Sequence, residues 1–564
     1  MRAPLWAWEH ADTTGRLLAS IFQSGPAAPA FSCSLDVRNG GVLLGLPGLL
    51  GMGLLAHTEN FALAAGYYRL DSIFLLLAFM ALARIKTIES LRYCPPGEWG
   101  KLLGLDRIPE AKTLRRKVRA LTSSGQGQQW ASALSRDWMA MFPETTGVLY
   151  VDGHVRVYTG GQTELPRHYV ARQQLCLRAT TDYWVNAMDG QPFFMVNRAV
   201  DPGLLSVLEE EIVPRLEREL PGQRELFGEG DVTPRFTLVF DREGYSPDFM
   251  ARMREKGIAC LTYSKYPGDD WPVTEFARRD VRLASGQTVT MHLAERGTLL
   301  GRKLWVREVR KLSQSGHQTA IIATDVTREI TGSAAAMFAR WSQENFFKYM
   351  REHYSLDRLA DYSTEEIPDS TRVVNPQYRE VDGEVRKQTA LLARKRCECD
   401  SILLCDDIEP DKVTEYETKK SALQEAVTEM TRTVADLKAC RKATPRHVHF
   451  ADLPPEDRFR MLGMKGKYFI DTIKLIAYRA ETAMANIVRH TLRRQDDARS
   501  LLRSLYAMEA DILPDHEAKT LTVRLHQPAN RCSRVTILHL IGELNATRTI
   551  FPGTDLRLFY ELVS

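Results

Sequence analysis

Three acidic residues could do chemistry together. Asp152 follows the apolar run 148–151, VLYV, and Asp241 follows 236–240, FTLVF. Glu344 lies in MFARWSQENFFKYM, residues 337–350. The spacings are 89 and 103 residues, read from positions 152, 241 and 344. A carboxylate at the rim of a buried sheet is costly unless it is paired or holds a metal. Three converging there make a hard-oxygen site suited to Mg²⁺ or Mn²⁺. Two such ions, about 4 Å apart, activate a nucleophile and stabilise a leaving oxygen in phosphoryl transfer. Each acid has a plainer reading. Asp152-Gly153 is also a turn signal, and Asp241 can cap the loop before Pro247. Arg340, Glu344 and Lys348 stand four apart, a stripe that is commonly a solvated helix face held by ion pairs. Asp325, which ends TAIIATD, is a rival ligand expected to rank behind Glu344.

The elements that must position these acids are legible from pattern. The near-continuous apolar run before Asp152 suits a strand buried on both faces. A long β pattern from 174 to 188 leads into Asp189-Gly190, a hairpin signal, and then PFFMV. Leucines and glutamates over 204–220 read as a helix. FTLVF is a strand, 247–256 a helix and IACLTYS a strand. The stretch 266–317 alternates without helical period and reads as a small β-rich insertion. TAIIATD then closes the sheet before the helix of Glu344.

Outside this core the chain reads as helical and basic. In EWGKLLGLDRIPEAKTLRRKVRALT, Gly104 ends one short helix and Pro109 opens another, which carries Arg115, Arg116 and Lys117. The pair fits a helix-turn-helix with its basic helix against phosphates, or an ordinary amphipathic pair. Residues 84–137 hold 11 Lys/Arg against 5 Asp/Glu, and 441–503 hold 14 against 7. Basic flanks around a near-neutral middle suit a long polyanion, although the net charge is only +4. Val413, Tyr416, Leu423, Val427, Met430, Val434 and Leu437 follow an a/d heptad with Lys420 on the seam, so 411–440 is expected as a coiled-coil-like helix, paired within the chain or across a dimer. The nine cysteines are scattered, which points to a reducing compartment. Cys397, Cys399 and Cys405, with Cys440, His447 and His449, offer zinc donors without a standard spacing. The apolar stretches 42–56 and 73–83 fall short of a membrane span, and no signal-peptide core is present, so a cytoplasmic protein is expected.

The chain resembles the DDE transposases of bacterial insertion sequences. VLYVDGHVRVYTG is similar to their first-acid strand, TLVFDREGYS to the second, and ARWSQENFFKYM to the third-acid helix of members with a β-rich insertion before the final glutamate. That helix carries a Tyr, Arg, Glu, Lys signature. Arg340 and Glu344 match its Arg and Glu, while Met337 stands for Tyr and Arg351 for Lys. The resemblance implies an α/β chain with a ribonuclease-H-like mixed-sheet core at 141–358 (β-rich insertion 266–317). A helical DNA-binding region over 1–140 and a helical, basic region over 359–564 flank it. It implies Asp152, Asp241 and Glu344 as catalytic ligands of two Mg²⁺ or Mn²⁺ ions, with Arg340, Lys348 and Arg351 near the DNA. Its partners would be double-stranded DNA, both element ends and target, and a second copy or more of the chain, in the bacterial cytoplasm at the nucleoid. A DNA-binding derivative without catalysis, or a nuclease that cuts without joining, are the alternatives.

Overall fold

The structure is a computed structural model. It describes residues 19, 25–160, 164–170, 173, 175–221, 234–284, 286–301, 304–338, 341–358, 364–401, 410–492, 494–526 and 534–563. The first described strand is β1 (Ser34–Val37). The longer helices that follow are α1 (Leu70–Leu82), α2 (Ala111–Thr122) and α3 (Gln126–Met141). Gly104 lies between the short helix Pro96–Lys101 and α2, with φ of +64°, so the expected pair of helices around a glycine turn is present. α2 buries Leu114, Val118 and Leu121 and turns its basic stripe outward.

The core is one ten-stranded mixed sheet. Its first strands are β2 (Val148–Val157), β3 (Arg167–Val170), β4 (Leu175–Ala187) and β5 (Pro192–Arg198). They form an antiparallel meander, with β4 between β2 and β5. Helix α4 (204–219) has one wider π turn at Leu208–Ile212 and returns the chain to β6 (Phe236–Phe240), parallel to β2. Helix α5 (Pro247–Glu255) leads to β7 (Ile258–Tyr263), parallel to β6. The stretch expected as an insertion supplies β8 (Ala277–Arg282), β9 (Thr288–Leu300) and β10 (Leu304–Leu312). With β11 (Gln318–Ala323) they extend the same sheet, because β11 pairs antiparallel with β7, and β10, β9 and β8 add outward in turn.

After the sheet come α6 (Ile330–Phe338) and α7 (Trp341–Tyr354), then a helical hairpin of α8 (Pro376–Ser401) and α9 (Pro410–Ala443). The heptad seam of α9 packs on α8, so the pairing is within the chain. This hairpin sets Cys397 and Cys399 near its tip and Cys440 near its base, where Arg441 pairs with Asp382 at 2.8 Å. The expected zinc donors therefore do not gather among the described residues, and Cys405 lies outside them.

Helix α10 (Lys465–Arg489) is buried on nearly every side. It packs on α1, α3 and α11 (Ala498–Ala507), which brings the first and last parts of the chain into one core. β1 joins a small C-terminal sheet made by Ala510–Asp515, Thr520–Leu525 and Arg557–Leu562. Part of the positive charge of 441–503 turns inward. Lys467 is buried against Asp471, and Arg479 lies over the Trp138 ring and donates to the Pro192 carbonyl at 2.9 Å. Burial pushes the Lys467 amine down to about 7 and the Arg479 guanidinium to about 10. Lys467, Lys474 and Arg479 serve the interior, whereas Lys442, Arg446, Arg458, Arg460, Lys465 and Arg494 are exposed.

Candidate functional site

Register brings the two aspartates level. β2 and β6 run parallel with Tyr150 beside Val239 and Val151 beside Phe240. β6 stops there, because the Asp241 carboxylate accepts from the Arg242 amide at 2.7 Å and caps a short turn. β2 does not stop. It runs to Val157 with Asp152 opposite Trp184 on β4, so Asp152 ends neither a strand nor a hairpin. Asp152 reaches the rim because its neighbour ends, and its carboxylate accepts from the Gly153 amide at 2.9 Å. Both aspartates are half-buried.

Alternation sets the face. Leu149, Val151, Leu238 and Phe240 pack into the main core, whereas Tyr150, Val239 and Leu261 pack on Ala336 and Met337 of α6. Asp152 is two residues past Tyr150, and Asp241 two past Val239. Both therefore belong to the face that α6 and α7 cover. The Tyr150 hydroxyl donates to the Ala336 carbonyl. From α7, the buried Gln343 amide donates to Asn186 Oδ1 at 3.0 Å and reaches the Tyr150 carbonyl at 3.5 Å. Phe347 stacks on His154, ring centres 5.3 Å apart. Gln343 and Phe347 thus grip β2 on either side of Asp152, and Glu344 leaves the turn between them.

The start of α7 is held by the β4–β5 hairpin. Ser342 Oγ donates to the Met188 carbonyl at 3.0 Å. Gly190 has φ of +88°, and a Cβ there would stand 2.8 Å from the Ser342 carbonyl oxygen. The far part of α7 is held by a buried knot. Glu481 of α10 has no side-chain exposure. It accepts from Arg84, from Tyr349, from Tyr354 at 2.6 Å and from Arg499 at 3.2 Å. Burial alone would raise its carboxyl, but Arg84 and Arg499 hold it below the usual range.

Glu344 itself is exposed. Among the described residues, Asp152, Asp241 and Glu344 do not all approach within 4.8 Å of one another. Asp325 belongs to another place. β11 runs antiparallel to β7, which sends its end to the opposite rim, and Asp325 Oδ1 accepts from the amides of Thr327 at 2.9 Å and Arg328 at 3.2 Å.

Two further acids share the cleft, and sequence reasoning missed both. Glu243 still reaches solvent, yet its carboxyl is pushed up, first by partial loss of water and then by Asp201, Asp152 and Asp241, with Arg446 opposing. Its position in DREGY, two past Asp241, was the available signal. Asp201 had none. It accepts from Tyr183 Oη at 2.6 Å, Thr181 Oγ1 at 3.1 Å and the Gly203 amide at 2.9 Å, which reads as a structural acid.

The expected DNA contacts are dispersed. Lys348 is exposed on α7. Arg351 is half-buried, 4.0 Å from Asp357, which also pairs with His154 at 2.6 Å. Arg340 lies outside the described residues. On α2, Arg116 is exposed and Arg115 pairs with Glu89. Lys117 is half-buried, its amine pushed down by burial and by Arg116.

The model of a family described as transposase protein matches residues 12–564. No curated protein matches the chain. Among solved structures, it is similar to a piggyBac transposase in a synaptic complex with hairpin DNA. Identity is 9%, over 84% of this chain and 77% of that one, with a TM-score of 0.22. Among the described residues, no helix is long and apolar enough to cross a membrane.

Proposed function

We propose a mechanism on one premise: the chain belongs to the transposase protein family. In this reading it cuts DNA at the ends of a mobile element and joins the freed 3′-hydroxyl to target DNA at the same site. Asp152, Asp241 and Glu344 are the catalytic acids of a ribonuclease-H-like core. The single observation that carries the assignment is the register of β2 and β6, in which Asp152 stands level with Asp241 on the face that packs on α6 and that α7 reaches through Gln343 and Phe347. The sheet order β5-β4-β2-β6-β7, an antiparallel meander followed by two strands parallel to the first, supports the core assignment.

The donor set fits hard divalent cations. It is all carboxylate, and Glu243 is pushed up first by burial and then by Asp201, Asp152 and Asp241, a repulsion that a cation relieves. Asp152, Asp241 and Glu344 would hold two Mg²⁺ or Mn²⁺ ions. When bound, such ions supply activation of water and charge stabilisation of the leaving oxygen. The chain's own residues do the rest. Gln343, Phe347 and the 188–190 turn hold α7 over the rim, and His154 and Arg351 fix Asp357 beside it. Lys348, with Arg340, offers positive charge to the DNA strand next to Glu344. Arg116 leads the phosphate contacts of α2. A homodimer or larger assembly on two element ends, in a bacterial insertion sequence, completes the reading.

Asp241→Ala tests it. Cutting of a labelled element end in Mg²⁺ should fall by at least about a thousandfold, while a gel-shift titration and the melting curve stay near wild type. A well-folded Asp241→Ala protein that still cuts would overturn the mechanism.

A further inference from the structure

On a different sheet from the two aspartates, a second set of donors converges where β1 meets the C-terminal strands. β1 pairs antiparallel with Ala510–Asp515, and the register slips between Ser34 and Val37. Asp36 sits in that irregularity with φ of +53°, and its amide donates to Asp511 Oδ1 at 3.0 Å. His526 follows the next strand, Thr520–Leu525, and turns its Nε2 toward both acids. One oxygen from each aspartate and one ring nitrogen lie within 4.8 Å of one another.

The distances discriminate between two uses of this trio. His526 Nε2 stands 3.3 Å from Asp511 Oδ1 and 3.5 Å from Asp36 Oδ1. A good N–H···O bond is about 2.7–3.2 Å, so the ring is not drawn fully onto either carboxylate. Zinc bonds of about 2.0–2.2 Å at tetrahedral angles give donor–donor edges of roughly 3.3–3.6 Å. Both separations from His526 match that edge. Burial is graded in the same sense. The Asp511 side chain is 12% exposed, His526 32% and Asp36 75%. The innermost donor is preset by a backbone amide, and the outermost leaves a side open for entry and for water.

We propose that Asp36, Asp511 and His526 form a divalent transition-metal site, of the Zn²⁺ type, that fastens β1 to the C-terminal sheet. Two carboxylates and one neutral imidazole neutralise such an ion. Imidazole nitrogen favours it over Mg²⁺, which separates this site from the all-oxygen cleft. The ligands come from positions 36, 511 and 526, so the ion closes a loop of almost the whole chain. The role is structural and independent of the reaction proposed above.

The test uses the full-length protein and zinc chloride alone. Because the chain has 13 histidines and nine cysteines, the reading is a difference. Calorimetric titration of wild type should show one equivalent more than His526→Ala, and zinc should raise the melting temperature of wild type alone. Asp36→Asn, at an exposed position, guards against misfolding. It should weaken the same equivalent at least tenfold while its melting curve without zinc stays that of wild type. Equal stoichiometry and equal melting shifts in all three proteins would reduce the trio to an ion pair.

Discussion

Two groups of carboxylates lie at either end of one helix, and their surroundings are opposite. Glu344 is exposed at the start of α7, and at the rim that α6 and α7 border, Asp152, Asp241 and Asp201 act on Glu243, whose carboxyl is pushed up by burial and by these acids. Farther along, Tyr349 and Tyr354 reach Glu481, a buried acid that Arg84 and Arg499 pull down. In the first group like charges stand close together and reach solvent. The second is held by two guanidiniums and is dry. In the reading proposed above, the open cluster takes a cation. A matched buried acid cannot take one, and what it supplies is position. Glu344 and the two tyrosines share one helix, so the knot bears on where Glu344 stands.

The sharpest way to break this comparison is to remove each acid in turn. Glu481→Ala leaves two guanidiniums without their buried partner and should cost about 3–5 kcal/mol. The melting temperature falls steeply, and binding and cutting fall together. The sign with pH is fixed by the depressed carboxyl. Its stabilisation is present above the usual carboxyl range and is lost as pH falls through the lowered folded value. Wild type should thus lose stability in acid by an amount that Glu481→Gln does not. Should Glu481→Ala melt like wild type, the knot is not a support.

Tyr349→Phe with Tyr354→Phe is finer. It keeps the ion pairs of Glu481 and removes the hydrogen bonds of both tyrosines to Glu481, together with those that Arg84 and Arg503 donate to Tyr349. The two bonds to the charged acceptor alone are worth roughly 3–6 kcal/mol at most and less where water reaches the site. The informative reading is the Mg²⁺ concentration for half-maximal cutting. It should rise severalfold in the double variant with DNA affinity unchanged. An unchanged metal requirement would mean that α7 is placed by Gln343 and Phe347 alone.

The same contrast applies to the basic residues. Replacing Arg115, Arg116 and Lys117 by Ala should weaken DNA binding and flatten its salt slope, by about 0.9 for each phosphate no longer neutralised. Arg115 already pairs with Glu89 and Lys117 is half-buried, so the change in slope should be nearer that of one phosphate than of three. Arg499→Gln, in the knot, should leave the slope where it was. A flattened slope there would show that buried cations do meet DNA.

How much of this was readable in advance follows the physics of each signal. The apolar runs before Asp152 and Asp241, the Asp189-Gly190 turn and the α9 heptad are local patterns, and each produced the expected element. What failed was set by distant partners. The 266–317 strands alternate, which announces β structure but not the sheet they join. The positive charge of 465–503 looks like a solvated face until Asp471, Glu481 and Trp138 are brought against it. The alternative assignment of Asp325 was decided by strand direction, which a single strand does not encode. Asp201 and Glu481 carry no motif, because their roles arise only when β5 and α10 are folded beside the elements they serve.

The smallest effect is also the most specific to the cleft. Glu243 has a folded carboxyl pushed above its unfolded value, so its ionised form is penalised in the native state. That penalty is absent at a pH below the unfolded value, where both states are protonated, and complete above the folded value. Glu243→Gln should therefore raise stability slightly at pH 7.5 and leave it unchanged in acid. Because the side chain still reaches solvent, screening keeps the gain to about 0.5 kcal/mol or less. Divalent cations should erase the difference, since an ion held by Asp152 and Asp241 offsets the repulsion in wild type. Melting curves of wild type and Glu243→Gln, with and without Mg²⁺, at pH 7.5 and in acid, contain the whole argument. A gain that persists in saturating Mg²⁺ would mean that the ion does not sit among these acids, and the contrast between an open cleft and a matched knot would lose its chemical half.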